Sequence, residues 1–231
     1  MPNKYNFDTN IFKSLTAESS WALGWILADG CICNKRLSIG LSSKDEEVLY
    51  KIKEVIKYDG PISRSTIVRN GKEFYGSRLA IHNEDLVNKL IKYNATSNKS
   101  LTLEYPELIE WKHMRHFIRG FFEGDGSVKY NKKRNCICIN FKGTYEFLKR
   151  LKINLRKCLE IKGSIYRSNN TNENVYNYDI SGNKMAVMFL NWIYYNSEEN
   201  TRLNRKYERS KELYKLMIQT RKTPVEINLA I

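Results

Sequence analysis

The chain has 231 residues, of which 39 are Lys or Arg and 25 are Asp or Glu, so its formal net charge is +14. A hydrophobic content of 42% and only four prolines exclude a disordered chain, and the length suits one large domain or two small ones. The longest nearly apolar stretch, residues 185–195, is too short to span a bilayer, and the polar first residues show no signal-peptide core. We therefore expect a soluble, intracellular protein.

The positive charge is concentrated in the second half of the chain. Residues 1–110 contain 15 basic and 14 acidic side chains, whereas residues 111–231 contain 24 and 11, which gives net charges of +1 and +13. Clustered positive charge is typical of proteins that bind a polyanion. The asymmetry therefore predicts a nucleic acid that the second half contacts more strongly, the alternative being charge that serves only solubility.

Five cysteines are present, and four of them form the Cys-x-Cys pairs Cys31/Cys33 and Cys136/Cys138. An odd number without a secretory signal favours reduced thiols over a disulfide framework. Zinc binding is the weaker interpretation, because the usual Cys-x2-Cys spacing is absent and both pairs fall in alternating, strand-like sequence.

Two similar motifs divide the chain into repeats. Residues 22–30 read ALGWILADG and residues 118–126 read IRGFFEGDG, and each contains two small residues four apart before a final Asp-Gly. Each motif is followed by strand-like sequence, a helical run, a strand pair, a second helical run and a basic signature. In the first repeat these are residues 31–42, 45–58, 61–82 and 84–93, then Asn98-Lys99-Ser100. In the second they are residues 127–142, 145–160, 163–181 and 184–195, then Asn204-Arg205-Lys206.

The repeat predicts two copies of one α/β unit, covering residues 1–110 and 111–231. Residues 104–116 would form the linker region and residues 203–218 a closing amphipathic helix. Asn70-Gly71 predicts a tight hairpin, with residues 169–174 as its looser counterpart.

Alternation in the strands predicts one apolar and one polar face for each sheet. The apolar positions are Leu37, Ile39 and Leu41 in the first repeat and Ile137, Ile139 and Phe141 in the second. Each unit would therefore present four antiparallel strands, with helices on the apolar face and a concave polar face for a ligand.

Small residues lie one helical turn apart in each motif, at Gly24 and Ala28 and at Gly120 and Gly124. Such spacing allows two helices to approach closely. If the motif helices pack in parallel, Asp29 and Asp125 meet at their negative ends, where mutual repulsion calls for a cation such as Mg²⁺. The alternative is that each Asp-Gly only ends its helix through turn chemistry.

With these repeated motifs, residues 17 to 215 resemble the single-chain, two-motif LAGLIDADG homing endonucleases. The resemblance implies an α+β fold of two pseudo-twofold-related αββαββα units, whose antiparallel sheets form a saddle over double-stranded DNA. It implies a monomeric, Mg²⁺-dependent endonuclease that hydrolyses both strands of a long, asymmetric target.

The site residues implied by the resemblance fall on the two motifs and the two basic signatures. The metal-binding acids are Asp29 and Asp125, which are also catalytic, with the carbonyls of Ala28 and Gly124 as further ligands. The basic catalytic residues are Lys99 and Lys206, which polarise water or stabilise the charged phosphate.

The sequence departs from the family pattern in two places. Where many members have a glutamine or similar polar residue after the second strand, this chain has Ser42 or Ser43 followed by Lys44, and Lys142 in the second repeat. Glu123 occupies the motif position of Leu27, so a carboxylate there is not required, and we leave it out of the metal site.

DNA recognition is expected from polar residues of the strands, which would present donors and acceptors to base edges in the major groove. The candidates are Arg36, Ser38, Arg64, Thr66, Arg78, Lys129, Asn131, Asn140, Lys142, Arg167, Tyr176 and Tyr178.

Other functions fit less well. Glu107 with Glu110 and Lys112 only faintly matches an Asp…Glu-x-Lys nuclease core, and His113 and His116 lack a ββα-metal pattern. An RNA-binding intron maturase and a catalytically inactive DNA-binding regulator remain alternatives on the same scaffold. The two acids and two lysines favour the enzyme, because a pure binding protein has no use for apposed carboxylates.

Overall fold

The computed structural model describes residues 5–97, 99–168 and 174–220. The architecture is α+β, with two separate four-stranded antiparallel sheets and helices packed against them, as the sequence predicts. Within the described residues, no helix combines the length and the apolar character needed to cross a membrane. None of the five cysteines forms a disulfide.

The first repeat has the predicted αββαββα order. Its elements are α1 (Ala17–Asp29), β1 (Gly30–Cys33), β2 (Arg36–Ser42), α2 (Glu46–Val55), β3 (Ile62–Arg69), β4 (Lys72–His82) and α3 (Glu84–Ile91). The short helix α4 (Lys99–Thr102) follows. The strands lie in the order β1-β2-β4-β3 in the sheet.

The second repeat has the same order of elements. They are α5 (Trp111–Asp125), β5 (Gly126–Asn131), β6 (Cys136–Gly143), α6 (Tyr145–Leu159), β7 (Ser164–Arg167), β8 (Tyr176–Ser181) and α7 (Asn183–Tyr194), and α8 (Asn204–Thr220) is the closing helix. The sheet order β5-β6-β8-β7 matches that of the first sheet.

Local sequence signals explain where several elements begin and turn. Thr16 and Ser19 form a capping box at the start of α1, each side chain accepting the other's backbone N–H. Asn70 and Gly71 both have positive φ and join β3 to β4, as predicted for a two-residue hairpin turn. Its predicted counterpart at residues 169–174 falls almost entirely outside the described residues.

The predicted linker at residues 104–116 is too long. Helix α5 already begins at Trp111, well before the motif. The apolar residues Met114, Phe117, Ile118 and Phe121 continue one helical period across the predicted boundary, and all four are buried. The linker is therefore confined to the residues before Trp111.

Packing divides the chain into two compact units. The first contains the described residues up to Lys99 together with Pro106–Gly124, and the second contains Ser100–Tyr105 and the described residues from Asp125 onward. Helix α5 up to Gly124 thus belongs with α1 in the first unit. The boundary after residue 110 stays a prediction about the repeated sequence unit.

Each sheet buries one face under helices of its own unit. In the first unit Leu37, Ile39, Leu79 and Ile81 are buried on the side of α2 and α3. In the second unit Ile137, Ile139, Phe141 and Ile180 are buried on the side of α6 and α7. We call the opposite, polar side of each sheet its open face.

Candidate active site and nucleic-acid interface

Helix α1 carries Asp29 at its C-terminal end, where the residue is exposed. The chain passes directly into β1 because Gly30 is extended and its N–H binds Ile26 O. A Cβ at Gly30 would lie only 2.5 Å from Ile26 O, so this junction requires glycine. The helix dipole is negative here, which makes the position of Asp29 favourable for a bound cation.

Helix α5 ends in the same way. Asp125 is its last residue and is exposed, and Gly126 is the buried first residue of β5. Each repeat therefore places one exposed carboxylate where its motif helix meets the first strand of its sheet.

Lys99 binds the end of α1. Its Nζ donates to the carbonyls of Ile26, Leu27 and Ala28 at 2.7, 2.9 and 3.1 Å. The last carbonyls of a helix lack intrahelical partners, and a cation there opposes the helix dipole. The predicted lysine of the first repeat thus reaches the backbone next to Asp29.

Lys206 contacts the backbone beside the acid of the second repeat, at the residue that follows the acid. It lies on α8, is 8% exposed, and donates from Nζ to Gly126 O at 2.6 Å. Gly126 follows Asp125, so each predicted lysine contacts the backbone beside the predicted acid of its own repeat. Sequence spacing alone indicated a lysine near the acids but not which backbone atoms it contacts.

The oxygen donors at these helix ends suit a hard divalent cation such as Mg²⁺. Asp29 and Asp125 each supply an exposed carboxylate within their own unit, and the carbonyl of Ala28, which also accepts from Lys99, has a second lone pair. Among the described residues no three His, Cys, Asp or Glu side chains group together, so backbone and other oxygens would complete any ligand set.

Gly124 fits closely against the end of α1. A Cβ at Gly124 would meet the Cβ of Ala28 and would lie 2.8 Å from Oδ2 of Asp29. The glycine therefore leaves room for the Asp29 carboxylate, which is the reason for a small residue at this motif position.

Glu123 links α5 to α1. It is 1% exposed, and its Oε2 accepts from Nε1 of Trp21 at 2.7 Å and Nε1 of Trp25 at 3.4 Å. Both indoles are buried, so the carboxylate joins the two motif helices within the first unit. This packing role agrees with leaving Glu123 out of the metal site.

Replacing Lys99 with Met is expected to lower the free energy of unfolding by about 1–2 kcal/mol, because three terminal carbonyls of α1 lose a charged donor. Thermal or denaturant unfolding measures the change. Lys92→Met, at an exposed lysine of the same unit, is the control and should stay within about 0.5 kcal/mol of the wild type. An unchanged melting temperature for Lys99→Met would show that the lysine does not hold the helix end.

On the first sheet, Arg36, Ser38 and Arg78 lie on the open face, as predicted. Arg64 and Thr66 do not share that face, so grouping them with these three was wrong. Arg64 lies opposite the buried Ser77, on the side of α2.

The Arg64 guanidinium is engaged by α2. It donates from Nε and Nη2 to the Glu46 carboxylate at 2.6 and 2.8 Å, and together with Ser77 it lowers the pKa of Glu46 to about 2. The sequence of β3 does not indicate which of its side chains point towards the helices. Every residue of the strand after Ile62 is exposed, and no alternation of apolar residues marks a buried side.

On the second sheet, Lys129, Asn131, Asn140 and Lys142 lie on the open face, as predicted. Arg167, Tyr176 and Tyr178 lie on the helix-covered face, so their assignment to the open face was wrong. Tyr178 is fully buried and stacks on Phe141 with ring centroids 6.2 Å apart. Burial raises the pKa of its phenol.

Sequence reasoning missed several open-face residues of the second sheet, among them Tyr166, Asn177 and Asp179. The signal is present in β8, where Asn177, Asp179 and Ser181 alternate with Tyr178 and Ile180. A tyrosine can belong to either side of such an alternation, and here the ring of Tyr178 belongs to the core.

Residues 112–194 match the family described as a LAGLIDADG-like domain. No curated protein sequence gives a significant match. Solved structures are similar to most of the chain, and their low sequence identities mean that the likeness concerns the fold.

Three of these structures illustrate the likeness. The homing endonuclease I-WcaI bound to its DNA recognition sequence has a TM-score of 0.63 and 18% identity, covering 86% of this chain and 90% of that one. The I-LtrWI LAGLIDADG homing endonuclease bound to target DNA has a TM-score of 0.61 and 13% identity, with coverages of 88% and 91%. Full-length DUF199/WhiA from Thermatoga maritima has a TM-score of 0.57 and 16% identity over 95% of this chain, which spans 66% of the WhiA chain.

Two αββαββα repeats, each with an exposed aspartate at the end of its motif helix, define a protein with the LAGLIDADG fold. The domain match at residues 112–194 and the shared architecture confirm the resemblance of this chain to the LAGLIDADG homing endonucleases.

Proposed function

We propose that the protein is a site-specific double-stranded DNA endonuclease that hydrolyses one phosphodiester bond in each strand with the help of divalent metal. The observation that carries this proposal is the repeated pairing of acid and lysine. Asp29 and Asp125 are exposed at the ends of the motif helices, and Lys99 and Lys206 bind the adjoining backbone. A protein that only bound DNA would have no chemical use for a carboxylate beside a lysine at the end of each motif helix, where the negative charge repels phosphate.

Asp29 and Asp125 are the proposed metal-binding residues, with the carbonyls of Ala28 and Gly124 as further oxygen ligands. A bound Mg²⁺ would activate water and stabilise the charge that develops on the phosphate. Lys99 and Lys206 add positive charge beside the acids, which favours binding of the phosphate and stabilises its transition-state charge.

The open faces of the two sheets are the proposed DNA-binding surfaces. They carry polar and basic residues that can contact base edges and phosphates, among them Arg36, Ser38, Arg78, Lys129, Asn131, Asn140 and Lys142. The likeness in fold to I-WcaI and I-LtrWI, both solved on DNA, supports this assignment.

Selection from a randomised duplex library tests the proposal. With Mg²⁺ present, the protein should cut a defined subset of duplexes in both strands, and a chelator should stop cleavage but not binding. Specific binding without cleavage under every divalent ion tried would instead indicate a DNA-binding regulator. Failure to bind duplex DNA, together with splicing of an intron transcript, would indicate a maturase.

Salt dependence tests where the protein binds the phosphates. Neutralising the exposed residues Lys129, Lys132, Lys133 and Arg134 should lower the slope of log affinity against log salt by roughly 0.9 for each phosphate that the variant no longer neutralises. Neutralising Lys35, Arg36, Arg64 and Arg69 should change the slope less.

The structure adds a reason for this difference, because two cations of the first-repeat set already face carboxylates. Lys35 lies 2.7 Å from Glu84 and Arg64 lies 2.6 Å from Glu46. Binding titrations at several salt concentrations give both slopes. A larger change in slope from the first-repeat set would show that net charge does not indicate which half of the chain contacts the phosphates.

A further inference from the structure

Four polar side chains form a connected group on the open face of the second sheet. They are Asn140 on β6, Asn177 and Asp179 on β8, and Tyr166 on β7, and we call them the acceptor cluster. The register fixes the group, since Asn140 lies directly opposite Asp179 and Tyr166 directly opposite Asn177. Directly opposed residues of antiparallel strands are near neighbours on one face.

Hydrogen bonds inside the cluster use the donors of Asn140 and Tyr166. Asn140 Nδ2 donates to Asp179 Oδ1 at 2.6 Å and to Asn177 Oδ1 at 3.2 Å, and Tyr166 Oη donates to Asp179 Oδ2 at 2.6 Å. These bonds take both amide hydrogens of Asn140 and the phenol hydrogen. The carboxylate raises the pKa of Tyr166 to about 12, so the phenol remains a donor at neutral pH.

The atoms that remain for a ligand are mainly acceptors. A carboxylate offers about four lone-pair sites, and the bonds above occupy one on each oxygen of Asp179. The amide oxygen of Asn140 and the phenol oxygen of Tyr166 add further lone pairs, while Asn177 is 9% exposed. The cluster therefore presents hydrogen-bond acceptors around a negative charge.

The Asp179 carboxylate is accessible from the open face. Together with Tyr166 and Ser181 it lines an open cavity of about 390 Å³, whose wall also contains the cations Lys162 and Arg134. Phosphates would be attracted to the two cations and repelled by Asp179. A base edge that offers hydrogen-bond donors suits the carboxylate better than a phosphate does.

Building on the proposed function, we propose that the acceptor cluster selects a C·G base pair in the target by accepting a hydrogen bond from the cytosine N4 amino group. Major-groove donors are limited to cytosine N4 and adenine N6. Adenine N6 lies between two acceptors, its own N7 and the thymine O4, whereas cytosine N4 has an acceptor on one side only. A surface rich in acceptors therefore favours cytosine.

The first sheet has no equivalent of this cluster. The ladder positions that correspond to Asn140 and Asp179 are Ser38 and Ala80, and Ala80 has no polar side chain. The cytosine preference should accordingly appear in one half of the target and have no symmetric counterpart in the other.

The test is selection of bound duplexes from a randomised library with wild type, Asp179→Asn, Tyr166→Phe and the control Ser181→Ala. Wild type should prefer cytosine at one position by about tenfold over the other bases, the size of a single good base contact. Asp179→Asn should lose this preference and gain adenine, since an amide pairs well with adenine N6 and N7. Tyr166→Phe should weaken the preference, because the phenol no longer holds the Asp179 carboxylate in position.

Ser181→Ala, which removes a hydroxyl from the same strand and cavity wall but leaves the acceptor cluster intact, should retain the cytosine preference. Melting curves should show that every variant is folded at the temperature of the selection. An unchanged preference in Asp179→Asn, or a wild-type target without such a cytosine, would overturn the inference and leave the proposed function standing. If the wild-type protein enriched no duplex at all, the result would contradict both the proposed function and this inference.

Discussion

Asp29→Asn is expected to reduce double-strand cleavage by about 100-fold or more while most of the DNA affinity remains. The amide keeps the size and shape of the side chain but removes the negative charge that favours a divalent cation. Asp29 is exposed at the end of α1, so the substitution leaves the packed core untouched. Asp125→Asn should give the same result, because Asp125 occupies the same place at the end of α5.

Cleavage and binding assays on one selected duplex measure both effects. Asp85→Asn provides the matched control, since Asp85 is an exposed aspartate on α3 that pairs with Lys89 at 2.7 Å. That variant should cleave at the wild-type rate. Wild-type cleavage by Asp29→Asn or by Asp125→Asn would overturn the metal assignment.

Gly120→Val should destabilise the protein by about 3 kcal/mol or more and abolish its activity, because the added side chain would clash with backbone atoms of α1. A Cβ at Gly120 would meet the carbonyl oxygen of Trp21 and would lie 3.2 Å from the amide nitrogen of Trp25. At Gly24 a Cβ would meet Phe117 O and would lie 2.6 Å from Phe121 N. Backbone atoms cannot rotate away as a flexible side chain does, so α1 and α5 would have to separate.

Denaturant unfolding gives the free energy directly, with Gly24→Val as the second variant. Gly40→Val is the stability control, because a Cβ at Gly40 on β2 would meet nothing within 4 Å. Valine favours strands, so this control should unfold within about 1 kcal/mol of the wild type. Unchanged unfolding of both Gly24→Val and Gly120→Val would mean that the glycines do not form a close helix interface.

Local patterns were enough to predict the architecture. The repeated motifs, the helical periods and the Asn70-Gly71 turn each depend on residues near one another in the chain, and the structure contains the corresponding helices, strands and hairpin. The small residues Gly24 and Gly120 likewise predicted a close helix approach, because a missing side chain is itself a packing signal. Family resemblance supplied the chemistry expected at Asp29 and Asp125.

The facing of individual side chains was decided only by the tertiary structure. Strand register depends on partners far away in the chain, and a shift of one residue moves a side chain to the other face of the sheet. That is why Arg64 meets Glu46 on α2 and Tyr178 enters the core, while Asp179 emerges on the open face. The backbone contacts of the two lysines were likewise decided only by the tertiary structure. Lys99 is 71 residues from Ala28 in the sequence, and Lys206 is 80 residues from Gly126, so only folding brings each lysine to its carbonyl.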